Sequence, residues 1–538
     1  MTETRVDRRG RRVVVTALAA LLVLAALLLP DDVASLTPAA FLRLPVEALP
    51  AAALVLVLPE RARRVVVPVG GALLGLLLVL KALDLGFDAV LYRPFDPVLD
   101  WPLLAPAVDY VDVTAGRFAA VAVVVAAVLL AVAVVVLMAR SAARLGEVVG
   151  RHRRVVARVL AVLAVGWLTL AGVHATSIGP ITSRSTAAFA YDQVHRVRAG
   201  LRDREEFAAR SAVDPFAGAA GADLLTGLRG KDVLLVFVES YGRAAVAHPD
   251  IAPRVGPALD AGTARLAAAG YHARSAFLTS PTAGGGSWLA QATLLSGLWV
   301  DNQQRYRTLV ASDRLPLGGA FRRAGWRSVG VLPGITRAWP EGGFFDYDRI
   351  YAFDDLDYRG PRFGYATTPD EFTLARFQRF ERTGEHAPVM AAIALLSSHA
   401  PWSPAPTAVG WDHLGDGSVF ASMASGEAPA EAVFGRDPAL VRADYAKTVE
   451  YSVGSLVSYV ETYGDDDLVL VFLGDHQPAP FVTGPDAGRD VPISIVARDR
   501  AVLDRTSSWG WTDGLRPDPR APVRPMDGFR DQFLATFR

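Results

Sequence analysis

Five apolar runs in the first third of the chain constrain its fold more than any other feature. They cover Val13–Leu29, Phe41–Leu58, Val65–Leu83, Phe118–Ala139 and Val155–Val173. A bilayer core requires about 20 apolar residues in helical form, with a range of about 17 to 25, so each run is a predicted span. The second run is the weakest because Pro45 and Pro50 interrupt it. We expect a multi-span α-helical membrane domain of five helices over residues 1–175.

The placement of arginine predicts the orientation of these spans. The tail carries Arg5, Arg8, Arg9, Arg11 and Arg12, the second-to-third connection Arg61, Arg63 and Arg64, and the fourth-to-fifth connection Arg140, Arg144, Arg151, Arg153, Arg154 and Arg158. By the positive-inside rule the N-terminus is cytoplasmic, and five spans leave the remainder outside a cell membrane. Further spans follow the first run, and no small-residue cleavage site does, so it is not interpreted as a signal peptide.

Composition excludes several classes of protein. The chain is 51% hydrophobic and 20% charged, whereas soluble proteins carry about 25% charged residues. Lys+Arg and Asp+Glu both number 55, so no basic surplus favours nucleic acid. Cysteine is absent, which excludes disulfides, thiolate metal ligands and a cysteine nucleophile. A transporter is disfavoured because the runs lack paired ionisable residues, apart from Lys81 near one end.

The remainder of the chain predicts an α/β domain. Residues 176–229 form a helical linker with an amphipathic helix over Tyr191–Phe207, and residues 230–505 alternate apolar runs with helical stretches. The predicted strands are Val233–Val238, Ser328–Leu332, Val389–Leu396, Leu468–Leu473 and Pro492–Ala497; the predicted helices include Pro257–Ala269 and Asp444–Thr462. Continuous apolar runs are typical of strands buried on both faces, which favours a mostly parallel central sheet. Residues 403–437 are interpreted as a loop or flap, and residues 506–538 as a C-terminal packing segment with a helix over Gly528–Phe537.

Polar residues follow three of these strands at the point where each one ends. Glu239 follows the first, His399 follows the third in the segment SSHAPW, and Asp475 with His476 follows the fourth. Ligands of open α/β sheets bind at the carboxyl ends of strands. Two carboxylates and imidazole are suitable ligands for Mn²⁺, Mg²⁺ or Zn²⁺.

A nucleophile candidate lies in the segment SPTAGGGSWLAQATLLSG, where three glycines precede Ser287 and a predicted helix over Trp288–Leu295. Ser287 would be the helix N-cap, where backbone N–H groups hold an anion. Each residue alone has a structural explanation: Ser287 as a cap, Glu239 or Asp475 as a cap, His399 as a polar loop residue, and the glycines as a turn. The ordered set of all four favours a site.

This ordered set, with five spans before it, resembles the alkaline phosphatase and sulfatase superfamily, in particular its membrane branch of lipoteichoic acid synthases and phosphoethanolamine transferases. The resemblance implies a sulfatase-like domain in which Glu239, Ser287, Asp475 and His476 hold one metal ion, Mn²⁺ first, with Mg²⁺ or Zn²⁺ as alternatives. It also implies that His399 and Trp339 lie beside the substrate. The family's arginine after that tryptophan is absent, because Glu341 takes its place, and Arg337 lies just before. Leu289 and Gln291 replace the Pro and Arg of the sulfatase signature, which disfavours formylglycine and sulfate chemistry.

The resemblance implies a metal-dependent phosphotransferase at the outer membrane face. It would move a phosphoglycerol-type head group from a membrane phospholipid to an envelope glycan, lipid or polymer acceptor, through a phospho-Ser287 intermediate assisted by His399. Two alternatives stay open: a membrane-tethered phosphodiesterase that passes the group to water, and a non-catalytic protein that only binds a polymer or partner.

Overall fold

The computed structural model of the chain describes residues 3–30, 37–42, 44–45, 47–91, 93–173, 182–183, 185–424, 436–484 and 486–538. The chain divides into two compact units. One comprises residues 1–89 and 93–201, and the other residues 90–92 and 202–538. The boundary expected at residues 175–176 lies outside the described residues.

The N-terminal region is helical. Its helices are α1 (Glu3–Leu28), α2 (Ala48–Val57), α3 (Glu60–Leu91), α4 (Leu104–Ala115), α5 (Arg117–Arg151), α6 (Arg153–Val173) and α7 (Ser185–Ser211); the 3-10 turns Pro38–Leu42 and Trp101–Leu103 and the parallel pair β1 (Leu44–Pro45) with β2 (Thr182–Ser183) complete it. Among the described residues, α1 from Gly10 onward, α3 and α5 are long and apolar enough to cross a membrane. Their apolar side chains are widely exposed, Phe118 to 94%. Such a surface is typical of lipid contact. The prediction of a multi-span helical region is confirmed.

One of the five predicted spans, Phe41–Leu58, is not a continuous helix of spanning length. In the run Phe41–Leu58 the α-helix is only α2, of 10 residues. It is about 15 Å long, half of a core about 30 Å thick. Pro45 precedes this helix and Pro50 lies in its first turn, where proline is tolerated. The side chains of α6 beyond Gly166 lie outside the described set, so the count of five stays a prediction.

The C-terminal region contains a nine-stranded mixed sheet. Its strands are β3 (Asp232–Val238), β4 (His272–Thr279), β5 (Arg327–Val331), β6 (Arg349–Tyr351), β7 (Val389–Leu395), β8 (Leu468–Gly474), β9 (Asp490–Ala497), β10 (Thr512–Asp513) and β11 (Val523–Pro525). The order is β10-β4-β9-β8-β3-β7-β5-β6, with β11 beside β4. Strands β8, β3, β7, β5 and β6 are parallel, whereas β9 is antiparallel to β8 and β4. The predicted α/β fold with a mostly parallel sheet is confirmed.

Helices and short turns connect these strands. The helices are α8 (Ala244–Ala247), α9 (Ala252–Ala268), α10 (Ser287–Ser296), α11 (Gln303–Val310), α12 (Leu317–Arg323), α13 (Asp370–Glu381), α14 (Pro438–Tyr463), α15 (Pro480–Thr483), α16 (Arg500–Arg505) and α17 (Phe529–Thr536). The 3-10 turns are Gly221–Asp223, Thr226–Leu228, Pro340–Phe345, Phe353–Leu356, Trp411–His413, Ser418–Ser422, Ser507–Trp509 and Met526–Gly528. Helices α9, α14 and α17 confirm the predicted helices Pro257–Ala269, Asp444–Thr462 and Gly528–Phe537. Part of the predicted loop 403–437, residues 425–435, lies outside the described residues.

Strand β3 separates two hydrophobic cores. Val233, Leu235 and Phe237 pack into one core, while the alternate residues of the strand pack into the other. Side chains of a strand alternate between its faces, so a strand covered on both sides is apolar at every position. This explains why β3, β7 and β8 could be predicted from continuous apolar runs.

Candidate metal centre and nucleophile

The register of three central strands brings the predicted site residues to one sheet edge. Val238 of β3 pairs with Leu395 of β7 and with Gly474 of β8. Glu239 and Asp475 are therefore the next residues on neighbouring parallel strands, and the His399 segment follows the third strand. Neighbouring parallel strands lie about 4.8 Å apart, so Glu239 and Asp475 begin close together at this edge.

Glu239, Asp475 and His476 form a buried cluster whose ligand atoms lie within 4.8 Å of one another. His476 Nε2 lies 3.3 Å from Glu239 Oε1 and 3.8 Å from Asp475 Oδ1. The Ser287 hydroxyl donates to Glu239 Oε2 at 2.9 Å, and its Oγ is 3.3 Å from His476 Nε2. The structure thus brings together all four residues that the resemblance assigns to the metal.

Burial and mutual charge shift the pKa values of the three ionisable members. Burial, followed by the charge of Glu239, raises the pKa of Asp475 to about 7. Burial opposes the charged form of His476, but Asp475 and Glu239 outweigh it and raise the pKa of the imidazole to about 9. Burial would raise the pKa of Glu239 as well, but the charges of His476 and His399 hold it below its ordinary value. Two carboxylates therefore compete for one imidazolium.

Backbone groups fix the orientation of the cluster. The N–H groups of Ser240 and His476 both donate to Asp475 Oδ1, at 2.8 and 2.7 Å. His476 Nδ1 is 2.8 Å from the carbonyl of Gln477, which can only accept, so Nδ1 carries the proton. The Nε2 lone pair of the neutral ring therefore faces the carboxylates, as in histidine ligands oriented by a hydrogen bond at the other nitrogen.

The chemistry and spacing of these groups fit a divalent cation. Tetrahedral zinc bonds of about 2.0–2.2 Å place ligand atoms about 3.3–3.6 Å apart. Ser287 Oγ lies 2.9 and 3.3 Å from Glu239 Oε2 and His476 Nε2, and His476 Nε2 lies 3.3 and 3.8 Å from the Glu239 and Asp475 carboxylates. A cation here would also relieve the repulsion between the two buried carboxylates. The spacing is compatible with Zn²⁺ and, through the oxygen donors, with Mn²⁺ or Mg²⁺.

A glycine turn places Ser287 in the cluster. Gly284, Gly285 and Gly286 all have positive φ, of 71°, 153° and 80°, which a side chain would disfavour. The Gly284 N–H donates to the carbonyl of Gln477 at 2.8 Å, so the turn is bound to the Asp475–His476 segment. The N-cap of α10 is Gly286 rather than Ser287, which is the first helical residue. The expected N-cap was wrong by one position because the left-handed glycine begins the helix.

His399 lies beside the cluster on the loop that follows β7. Its ring Nδ1 is 2.7 Å from the carbonyl of Ala400, and the ring stacks on Tyr365 at 4.7 Å. The hydroxyl of Ser398 donates to the carbonyl of Glu239 at 2.5 Å, which binds this loop to the end of β3. The effect of His399 on the Glu239 pKa reflects the same proximity.

Trp339 and Arg337 belong to the segment that follows β5. Trp339 is half-buried, stacks on Phe345 at 5.4 Å, and donates from Nε1 to the Tyr306 hydroxyl at 3.2 Å. Arg337 is exposed. These contacts of Trp339 lie within its own segment and α11, and the substrate role of Trp339 and Arg337 stays a prediction.

Two residues that support the cluster through hydrogen bonds, Ser240 and Tyr445, were not predicted from the sequence. Ser240 donates its hydroxyl to Glu239 Oε1 at 2.8 Å, and the Tyr445 hydroxyl donates to the Ser240 carbonyl at 2.7 Å. The signal for Ser240 was its position directly after Glu239. Tyr445 is 205 positions away, on α14, and no local pattern marks it.

Comparison with known proteins agrees with this fold. Residues 231–490 match the family model described as Sulfatase. This match covers the α/β region and agrees with the resemblance that the motifs indicate. No curated protein matches the chain.

Solved structures include several similar chains. Lipooligosaccharide phosphoethanolamine transferase A from Neisseria meningitidis, an integral membrane protein, is 14% identical with a TM-score of 0.46, covering 93% of this chain and 87% of that one. The lipoteichoic acid synthase LtaP from Listeria monocytogenes is 14% identical, TM-score 0.35, covering 50% and 66%. The phosphoglycerol transferase GacH from Streptococcus pyogenes, in complex with sn-glycerol-1-phosphate, is 12% identical, TM-score 0.36, covering 62% and 91%.

Proposed function

We propose that this protein is a membrane-anchored, metal-dependent phosphotransferase that uses Ser287 as its nucleophile. The observation that carries the proposal is the position of Ser287 Oγ, 2.9 Å from Glu239 Oε2 and 3.3 Å from His476 Nε2. A capping serine would bond to the backbone of its own helix. This one bonds instead to a buried carboxylate and imidazole at the end of a parallel sheet.

The sequence around the nucleophile supports phosphoryl rather than sulfuryl chemistry. The nucleophile is an unmodified hydroxyl in the sequence SWLAQ, without the Pro and Arg of the sulfatase signature. Leu289 stands at the Pro position and is buried in the core, with 3% exposure. A serine hydroxyl ionised at an electropositive site attacks phosphorus directly, and no oxidised side chain is needed.

The residues divide the work of the transfer between them. Glu239, Asp475, His476 and Ser287 would hold the cation, which when bound lowers the pKa of a coordinated hydroxyl and polarises a phosphoryl oxygen. Ser287 Oγ forms a bond to phosphorus while the bond from phosphorus to the lipid alkoxide breaks. His399 supplies a proton to that alkoxide or binds the phosphate. The backbone N–H groups in the first turn of α10 face the phosphate oxygens. An acceptor hydroxyl then attacks phosphorus and releases Ser287.

The membrane helices support a lipid as donor. The proposed donor is phosphatidylglycerol or a related phospholipid, and the acceptor is a hydroxyl on an envelope glycan, lipid or polymer. Diacylglycerol would leave in the first half-reaction. The proposal takes residues 1–175 as a five-helix membrane domain with a cytoplasmic N-terminus, residues 176–229 as a linker, residues 230–505 as the extracytoplasmic catalytic domain and residues 506–538 as a packing segment. Trp339, Arg337 and His399 are the proposed substrate contacts, and Mn²⁺ is the proposed ion.

Release of diacylglycerol from phosphatidylglycerol vesicles tests this function. We expect wild-type protein with Mn²⁺ to release it, and we expect chelator or Ser287→Ala to abolish release. Ser296→Ala is the matched control, because Ser296 is buried at the opposite end of α10. Free glycerol phosphate in equal amount would identify the tethered phosphodiesterase alternative. Full release from Ser287→Ala would contradict the nucleophile.

A further inference from the structure

Two adjacent acidic residues at the start of α13, Asp370 and Glu371, are almost completely buried, with 0% and 3% exposure. Burial of an acidic pair is unfavourable unless hydrogen bonds satisfy both carboxylates. Neither residue belongs to the cluster around Ser287, and each holds a different part of the chain.

Asp370 holds the first end of the loop that carries His399. The Asp370 N–H donates to Ser397 Oγ, and the Ser397 N–H donates to Asp370 Oδ1, both at 2.9 Å. The second carboxylate oxygen accepts from Ser452 Oγ at 2.5 Å. Ser397 lies two residues before His399, so this reciprocal pair fixes the chain where it leaves β7.

Glu371 holds the other end of the same loop. Its two carboxylate oxygens accept from successive backbone N–H groups, those of Val409 at 2.9 Å and Gly410 at 3.0 Å. Residues 397 to 410 therefore form a closed loop whose two ends bind neighbouring residues of one helix. Hydrogen bonds from backbone N–H groups to a charged carboxylate are stronger than those between neutral groups.

A third contact fixes the middle of the loop. Trp402 is 3% exposed and packs edge-on against Tyr445 at 5.7 Å, and its Nε1 donates to the Ser398 carbonyl at 2.7 Å. The loop is thus held at both ends by α13 and in the middle by the core. His399 lies between the first end and the tryptophan, with Ser398 bonded to the Glu239 carbonyl.

We propose that Asp370 and Glu371 are positioning residues, which close the loop 397–410 and so fix His399 beside the nucleophile. They lie outside the cluster of Glu239, Asp475 and His476, and they act through His399. The inference rests on the proposed function, because the closed loop would serve His399 in proton transfer or phosphate binding. A displacement of about 1 Å at a group of this kind can lower a rate about 100-fold.

A double-mutant cycle tests the inference on full-length protein with phosphatidylglycerol vesicles and Mn²⁺. Glu371→Gln should lower kcat for diacylglycerol release about 100-fold, with a smaller change in KM. In a His399→Ala background the same substitution should change the rate less than about twofold, because the residue it positions is gone. Ser452→Ala, which removes only one partner of Asp370, should show a smaller loss with the same dependence on His399.

The matched control is Glu381→Gln, because Glu381 is a buried carboxylate at the other end of α13. It binds Arg327 and the Tyr351 hydroxyl. It should lower Tm, and its effect on turnover should be the same with and without His399. Hydrogen exchange at the Val409 and Gly410 amides should accelerate in Glu371→Gln and not in Glu381→Gln.

The outcomes separate this inference from the proposed function. Equal losses from Glu371→Gln in both backgrounds, or full turnover by Glu371→Gln, would overturn the positioning role while leaving the function standing. Wild-type protein that releases no diacylglycerol would contradict the function. The hydrogen-exchange comparison needs no substrate. Unchanged exchange at residues 409 and 410 in Glu371→Gln would overturn the role of Glu371 in closing the loop.

Discussion

The hydroxyl of Ser287 donates a hydrogen bond of 2.9 Å to the carboxylate of Glu239, which lies 48 positions earlier in the chain. Ser287 begins a helix and Glu239 follows a central strand, so the contact joins an anion-binding helix terminus to the carboxyl edge of the sheet. Asp475 and His476 complete the group from the neighbouring strand. The contact makes the first residue of this helix a candidate nucleophile.

Metal binding should stabilise the protein more as pH rises. Asp475 has a pKa of about 7, against about 3.9 when unfolded, and His476 has a pKa of about 9, against about 6.5. Both pKa values are raised, so the folded state holds extra protons and the metal-free protein loses stability as pH rises through these windows. A cation needs deprotonated ligands, so it binds more tightly at the higher pH.

Thermal unfolding of chelated and Mn²⁺-loaded protein near pH 6 and pH 8 measures this effect. The rise in Tm on adding Mn²⁺ should be larger at the higher pH, and Asp475→Asn should lose most of it. A Tm that does not respond to the ion at either pH would contradict the metal site.

His399→Ala should reduce diacylglycerol release by about 100- to 10,000-fold, the range expected for loss of a general acid. The ligand atoms of Glu239, Asp475 and His476 are untouched, so the Mn²⁺-induced rise in Tm should stay at the wild-type value. His413→Ala, an exposed histidine in a 3-10 turn, is the control and should keep full turnover. Wild-type rates from His399→Ala would exclude His399 from the reaction.

Arg530→Met should destabilise the C-terminal region without removing catalytic groups. Arg530 has 0% exposure and binds both oxygens of Asp214 at 2.9 Å, joining α17 to the segment after α7. Removing one partner of a buried ion pair costs about 3–5 kcal/mol because the other charge stays buried. Denaturant unfolding should show this loss, with Asp214→Asn/Arg530→Met losing less than the sum of the single variants.

The central strands and the four clustered residues could be predicted because their signals are local. Strands β3, β7 and β8 are buried on both faces, so their apolar runs are continuous, and Glu239 and the Asp475–His476 pair follow them directly. Strand β4 was missed because His272, Arg274 and Ser275 interrupt its apolar pattern. The strand Pro492–Ala497 was predicted within a mostly parallel sheet, but β9 runs antiparallel, since residue pattern does not encode direction.

The supporting contacts around the site could not be predicted, because they are hydrogen bonds between residues far apart in the chain. Asp370 binds Ser452 across 82 positions, and Glu371 binds Val409 across 38. In sequence, the pair Asp370–Glu371 is typical of the first turn of any helix. Only the fold shows that the two carboxylates close the loop around His399.

Intact mass of full-length protein, incubated with phosphatidylglycerol and Mn²⁺ and quenched in acid, tests whether Ser287 is the nucleophile. We expect an added glycerol phosphate on Ser287, with diacylglycerol released, and no adduct with chelator or in Ser287→Ala. The control variant Ser296→Ala should form the adduct as wild type does. An adduct that persists in Ser287→Ala, or that maps to another residue, would contradict Ser287 as the nucleophile.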